Sequence, residues 1–459
     1  MSSERAHIRH LLFRAGFGPA WEDADALERM SLRDVQRRLF RDSEAPDPLP
    51  APGGLGLPAS LLAMTPEERQ EAVRTQRLLI RGLNAAWLER MAASQGQLRE
   101  KMTLFWHSHF ACRLRHPALV LRQHNTLRQH ALGSFADLLR AISKDPGMLQ
   151  FLNSQQNTRE QPNENFAREV MELFTLGRGH YTESDIREAA RAFTGWGFDA
   201  QGEFVFRPRR HDYGEKTFRG RTGPFDGDDI LDMLLEDPQT ARFITRKLYR
   251  YFVHPEPAEA VVEEWAGQFY RSGYQIGELM ETIFTSAHFY EARNLGARIK
   301  SPVEYLAGLM RLLNLRFGDA GSAFFVQRAM GQVLFDPPGV AGWPDGRAWI
   351  DGSALMLRLR LPLAMAYAAE LDFQPKAEFA GDEDLSEAAS REARRLNVRL
   401  DWTPILRQLG SVSPQRQLET AAAFCLQTPL PASVPSLLQI ADPEQRYVRL
   451  LCTPEFQLC

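Results

Sequence analysis

Cysteine is scarce. The 459 residues hold four (Cys112, Cys425, Cys452 and Cys459), none in CxxC spacing. That excludes a disulfide framework and the common thiolate zinc patterns, and it suits a reducing compartment. No stretch approaches the roughly 18 consecutive apolar residues of a spanning helix. The opening MSSERAHIRHLLFRAGFG has no continuous apolar segment of the kind a secretory leader carries. The sequence therefore predicts no membrane span and a cytoplasmic location. Neither sign of charge dominates, with Lys+Arg 55 against Asp+Glu 58 for a net −3, so nothing electrostatic argues for nucleic acid or a membrane surface. GxSxG, GxxxxGK[ST], HExxH and a GxGxxG after a strand are all missing. This weighs against serine hydrolases, P-loop enzymes, zincins and dinucleotide enzymes. What remains is a globular composition, 44 % hydrophobic and 25 % charged, at a length for one large or two to three smaller domains.

The pattern is helical almost throughout. Thr65-Pro66-Glu67-Glu68 reads as cap, first-turn proline and capping-box acid. The following helix is broken near Gly96, before a second predicted from Gln97 to about Arg113. Further starts fall at Ser134, near Asn163, at Thr182, near Asp237 and Glu256, and at Ser301. One hairpin is predicted near 197–209, where Phe204 and Phe206 alternate after a Gln201-Gly202 turn. The fold class is thus mainly α, a multi-helix orthogonal or bundle-like array with one small β-hairpin. Three sections are expected: 1–58, a helical pair with a Pro/Gly-rich loop; 59–375, the central helices; and 376–459, the C-terminal helices after a polar stretch. Ile283–Phe289 and Leu450–Phe456 echo each other as helix ends, by duplication or by one capping solution used twice.

Histidine clusters. Five of the eleven (His107, His109, His116, His124 and His130) share an acid-free stretch with Lys101, Arg113, Arg115, Arg122 and Arg128. It reads either as a receptor for an anion or as a solvated basic helix face. At 100° per residue, Met102, Phe105, Trp106 and Phe110 form an apolar stripe with His109 in its middle and His107 at its flank. An inward imidazole needs a metal, a carboxylate or a backbone carbonyl. On the helix from Asn163, Phe166, Val170, Leu173 and Phe174 form the buried stripe, Glu169 sits beside it and Glu172 at its edge. Glu-x-x-Glu with histidine from another helix builds carboxylate metal sites in helical bundles. The alternative is an Arg/Glu network in which Arg168 reaches Glu172, with Arg187 and Arg191 as further partners. His211-Asp212 reads as a ligand or acid/base pair in a glycine-rich flexible segment, or as an ordinary turn. Trp343, in the loop Asp336–Trp349, reads as an apolar wall for substrate or as a lid on the core.

Several strings together carry a resemblance: HLLFRAGFGP, KMTLFWHSHFA, NENFAREVMELFTLGRGHYTESDIREAARAFTGW, HDYGEKTFRG, FITRKLYRYFV, IKSPVEYL, GQVLFDPPGVAGWPDGRAWI and LLCTPEFQLC. The chain resembles the bacterial domain-of-unknown-function family 1800 from about His10 to its end. The resemblance implies a mainly helical module and no established activity. It also implies a sulfatase-like partner encoded nearby, and export for many members. It carries over no catalytic residue.

Two functions follow as expectations. The first is a metal-supported hydrolase acting on an anionic substrate. His107 and His109 would be ligands, Glu169 a ligand or general base, His211 and Asp212 an acid/base pair or further ligand. Arg113 and Arg187 would hold the anion beside Trp343. Mixed imidazole and carboxylate donors suit Zn, Mn or Fe, which would lower the pKa of bound water. The second is a non-catalytic helical binding or scaffold protein serving the sulfatase-like partner, its polar residues closed into a structural network. A module binding anions through the basic stretch alone is a third.

Overall fold

A computed structural model of the protein describes residues 3–53, 55, 65–367, 396–432, 434, 438, 440 and 442–459, and the chain is mainly α-helical. Helices α1 (Ser3–Ala15) and α2 (Leu32–Asp42) pack against each other, α2 starting on a Ser31/Asp34 capping box. Helix α3 (Pro66–Ala93) starts on the Thr65/Glu68 capping box. Helix α4 (Gln97–His109) stops four residues short of the expected Arg113, because Phe110 leaves helical geometry at φ −101°, ψ 49°. Helix α5 (Pro117–His130) packs against α3 and α4.

The helix expected from Asn163 is interrupted. Helix α6 (Asn165–Glu169) passes into a π-helical turn, Val170–Thr175. The N–H groups of Leu176 and Gly177 both donate to Met171 O, and Gly177 ends the turn at φ +82°. A turn wound this way leaves the Phe174 carbonyl free for another element, as π-bulges commonly do at functional sites. Helix α7 (Glu183–Ala192) begins on the Thr182/Asp185 capping box.

The predicted hairpin is present as β1 (Trp196–Phe198) and β2 (Phe204–Phe206), antiparallel with Trp196 opposite Phe206. The glycine-rich segment after it is no loose cover. Lys216–Phe218 (β3) and Arg221–Gly223 (β4) pair as a second hairpin, its turn made by Arg219 at φ 49° and Gly220 at φ 78°. Two successive positive φ values are the two-residue turn that matches strand twist. A third pair joins β5 (Leu315–Phe317) to β6 (Val398–Leu400). Strands of three residues are too short to show the alternation by which sequence reveals them.

Helices α8 (Pro238–Phe252) and α9 (Pro302–Leu312) start on Asp237 and on a Ser301/Glu304 capping box. The two echoed helix ends use one solution twice: Ser286 Oγ donates to Ile283 O and Thr453 Oγ1 to Leu450 O, each ahead of a 3-10 turn. Buried apolar side chains form a continuous cluster from Ile8 to Cys459. The polar stretch 376–390 and the expected section boundaries at 58/59 and 375/376 lie outside the described residues. No helix among the described residues is long and apolar enough to cross a membrane.

Candidate functional site

Helix α4 is the centre of the candidate site, and it is not amphipathic. Every residue of it except Ser108 is buried. The expected polar flank is therefore inside, and each polar group there has to find a partner or carry a desolvation cost of about 1–3 kcal/mol, more for a charge. The partners come from distant segments. Glu100 accepts both guanidinium nitrogens of Arg128 at 2.5 and 2.6 Å and Trp87 Nε1–H at 3.2 Å. Lys101 pairs with Glu304 at 2.5 Å and donates to Gly16 O at 2.9 Å. Arg99 donates to the carbonyls of Ser43, Glu44 and Arg128.

The acid-free stretch is thus largely paired within the chain, with Arg115 left exposed. Arg113 meets Asp336 at 2.7 Å and Arg122 meets Glu203 at 2.7 Å, so its acids arrive from elsewhere in the chain. Arg113, proposed from sequence for substrate, also donates to Pro337 O.

The two imidazoles of α4 face different neighbours. His109 sits where the stripe placed it, between the π-helical turn and α8. Phe174 O can only accept, so His109 Nε2, 3.2 Å away, carries the proton. Its Nδ1 lone pair then accepts from the Lys247 ammonium at 2.8 Å. Burial, reinforced by Lys247, holds His109 well below its usual pKa, and burial draws Lys247 down to about 8. His107 Nε2 accepts Phe335 N–H at 3.1 Å, among the rings of Trp87, Phe335 and Trp343, and burial takes its pKa to about 3. Both lone pairs that a metal would need are engaged by N–H donors.

Glu169 is half-buried, without a hydrogen bond among the described residues, and its pKa is raised by burial and then by Glu172. Glu172 accepts Tyr181 O–H and Arg178 Nε–H, each at 2.6 Å. The network expected around these acids is differently wired. Arg168 binds Glu183 and Glu164, not Glu172; Arg191 binds Asp212 and Glu188; Arg187 is exposed.

His211 and Asp212 diverge. His211 is buried, with Nδ1 2.9 Å from Thr194 O, while the Asp212 carboxylate takes Arg191 Nε–H at 2.7 Å. Trp343 is buried against His107 rather than offered to solvent. Gly342 beside it lies so close that a Cβ would come within 2.4 Å of Ser108 O, which pins the Pro/Gly loop on the end of α4.

Among the described residues no three His, Cys, Asp or Glu side chains converge as metal ligands would. His107, His109 and Glu169 therefore do not form one donor set in this geometry, and neither His211 nor Asp212 completes one. The groups that sequence reasoning missed are Lys247 and the Phe335 amide. Lys247 lies on an ordinary basic helix, the Phe335 contact is a backbone donor, and neither leaves a signal in spacing.

No curated protein and no solved structure matches the chain. The family model described as Protein of unknown function (DUF1800) matches residues 10–458. This mainly helical chain belongs to that family.

Proposed function

We propose that the chain works by binding, as a non-catalytic helical scaffold, with a sulfatase-like protein as the partner to test first. One observation carries the reading. Of the polar residues that suggested chemistry, His107 is engaged with Phe335, His109 with Phe174 and Lys247, and Asp212 with Arg191, and the buried charges of α4 close as Glu100–Arg128 and Lys101–Glu304. Closed pairs of this kind fix helix register and occupy groups that a substrate would otherwise meet.

The test sets turnover against association. Chelator-free protein is incubated with Zn, Mn and Fe, analysed by ICP-MS, and assayed on phosphate and sulfate esters. It is also titrated with the purified sulfatase-like protein in analytical ultracentrifugation. The binding reading expects a complex, no turnover, and no stoichiometric metal that disappears in His109→Ala. Turnover abolished by that substitution would overturn it.

A second reading, hydrolysis of an anionic substrate, is supported by Glu169 alone, a half-buried carboxyl with raised pKa and no hydrogen-bond partner among the described residues. Such a group suits general acid–base work. On that reading Glu169→Gln removes turnover while leaving the melting temperature unchanged.

A further inference from the structure

A second feature lies on another face of the molecule, away from α4's histidines. A cleft of about 240 Å³ opens between the end of α3, the segment after α1, and the end of α9. Ala20, Ala92 and Ala93 keep its walls small, and Arg311 lies among its lining residues. Arg311 is only 8 % exposed. Its Nε donates to Gly18 O at 3.0 Å and its Nη1 to Ala92 O at 2.6 Å, so two backbone carbonyls from separate segments hold the guanidinium in place. Its Nη2 is neither bonded among the described residues nor sealed from solvent. No carboxylate among the described residues forms an ion pair with Arg311; Asp23 and Glu22 act on it only at longer range. Held by two neutral carbonyls, the Arg311 guanidinium keeps its charge uncompensated and one amino group available, and a carboxylate is the counterpart that pairs best with such a group.

The rim has the opposite character. Glu22, Asp23 and Glu89 all line the cleft. Asp23 is held by Arg38 at 2.9 Å, and Glu89 lies 3.8 Å from Arg316, itself a lining residue. Glu22 is exposed and makes no direct ion pair among the described residues. A polyanion would meet these acids before reaching Arg311. A ligand that carries both a carboxylate and an ammonium would meet both characters of this lining. The volume sits below the roughly 300–1,000 Å³ of sites for drug-sized ligands and suits something the size of one amino acid.

We infer that this cleft binds a small zwitterion of the α-amino acid class, its carboxylate on Arg311 Nη2 and its ammonium toward Glu22. The site is independent of the scaffold reading and needs none of the residues around α4.

The test is isothermal titration calorimetry on the full chain with four probes: L-lysine, acetate, n-butylamine and inorganic phosphate. L-lysine binds one to one, and acetate and n-butylamine, which carry a carboxylate alone and an ammonium alone, bind at least tenfold more weakly. Glu22→Gln, at an exposed rim position, weakens L-lysine at least fivefold without moving the melting temperature. Arg311→Lys, checked for folding by circular dichroism, removes it. If Arg311→Lys does not fold, the Glu22→Gln result and the probe series decide alone. No heat with L-lysine at millimolar concentration overturns the inference. So does equal binding of acetate or phosphate, or L-lysine affinity that is unchanged in Glu22→Gln.

Discussion

Around α4, charged side chains meet their partners out of water; along the segment from α6 to β4 they meet them near the surface. Lys101–Glu304 and Glu100–Arg128 have side chains at most 3 % exposed, whereas Arg168–Glu183 and Arg191–Asp212 keep a fifth or more of theirs in solvent. The same residue types therefore do different work. A buried pair gains strength from the low dielectric but commits the fold to both members, because either alone would be an uncompensated charge. A surface pair can be lost with little consequence. The lesson for function is that His, Glu and Arg close together in sequence turn to separate partners here, Glu169 excepted.

That contrast breaks most sharply at Glu100. Glu100→Ala strands Arg128 beneath the surface and removes the acceptor of Trp87 Nε1; about 3–5 kcal/mol of stability should be lost, read by urea denaturation. The His109 contacts come next. Lys247→Met leaves the Nδ1 lone pair buried and unmet, which costs about 1–3 kcal/mol in the same measurement.

Acid sharpens the comparison further, because His107 and His109 must stay neutral to keep their contacts. Folding depresses the His107 pKa from 6.5 to about 3. The unfolded chain then binds a proton that the folded chain refuses, so stability is present above pH 6.5 and is lost as pH falls toward 3. The slope is about 1.4 kcal/mol per pH unit for each such histidine. Asp145 works the other way: burial raises it from 3.8 to about 6, so its contribution grows as pH falls through that window and offsets part of one histidine. His124 isolates the effect. Both its ring nitrogens are buried without hydrogen bonds, and the ring lies 4.3 Å from Trp87. His124→Leu should keep full stability at pH 7.5 and lose less on acidification than the parent, read as unfolding midpoints from pH 7.5 to 4. At the weak end, Arg113→Ala breaks a half-exposed pair with Asp336 and should cost less than about 1 kcal/mol.

What sequence reveals of this fold is what is local. Thr65/Glu68 and Thr182/Asp185 announce helix starts because both members of each box lie within one turn. The hairpin at Phe204 and Phe206 is likewise a matter of neighbours. The burial of α4 is not local. Lys101 depends on Glu304, His107 on Phe335 and His109 on Phe174 and Lys247, separations that periodicity cannot encode. His109 was legible as an inward imidazole that needs a partner, and a backbone carbonyl was among the partners named. The carbonyl is available because the helix ends at Gly177, by way of a π turn that the string Val170–Thr175 gives no sign of.

The most direct measurement of the central claim is the tautomer of His109, read from nitrogen–proton correlation spectra of protein labelled with 15N at histidine and assigned with His109→Gln. A neutral ring protonated at Nε2, unchanged between pH 8 and 6 and unmoved by added Zn, is the predicted result. An Nδ1–H tautomer, an imidazolium signal within that range, or a metal-induced shift of either nitrogen would contradict the account.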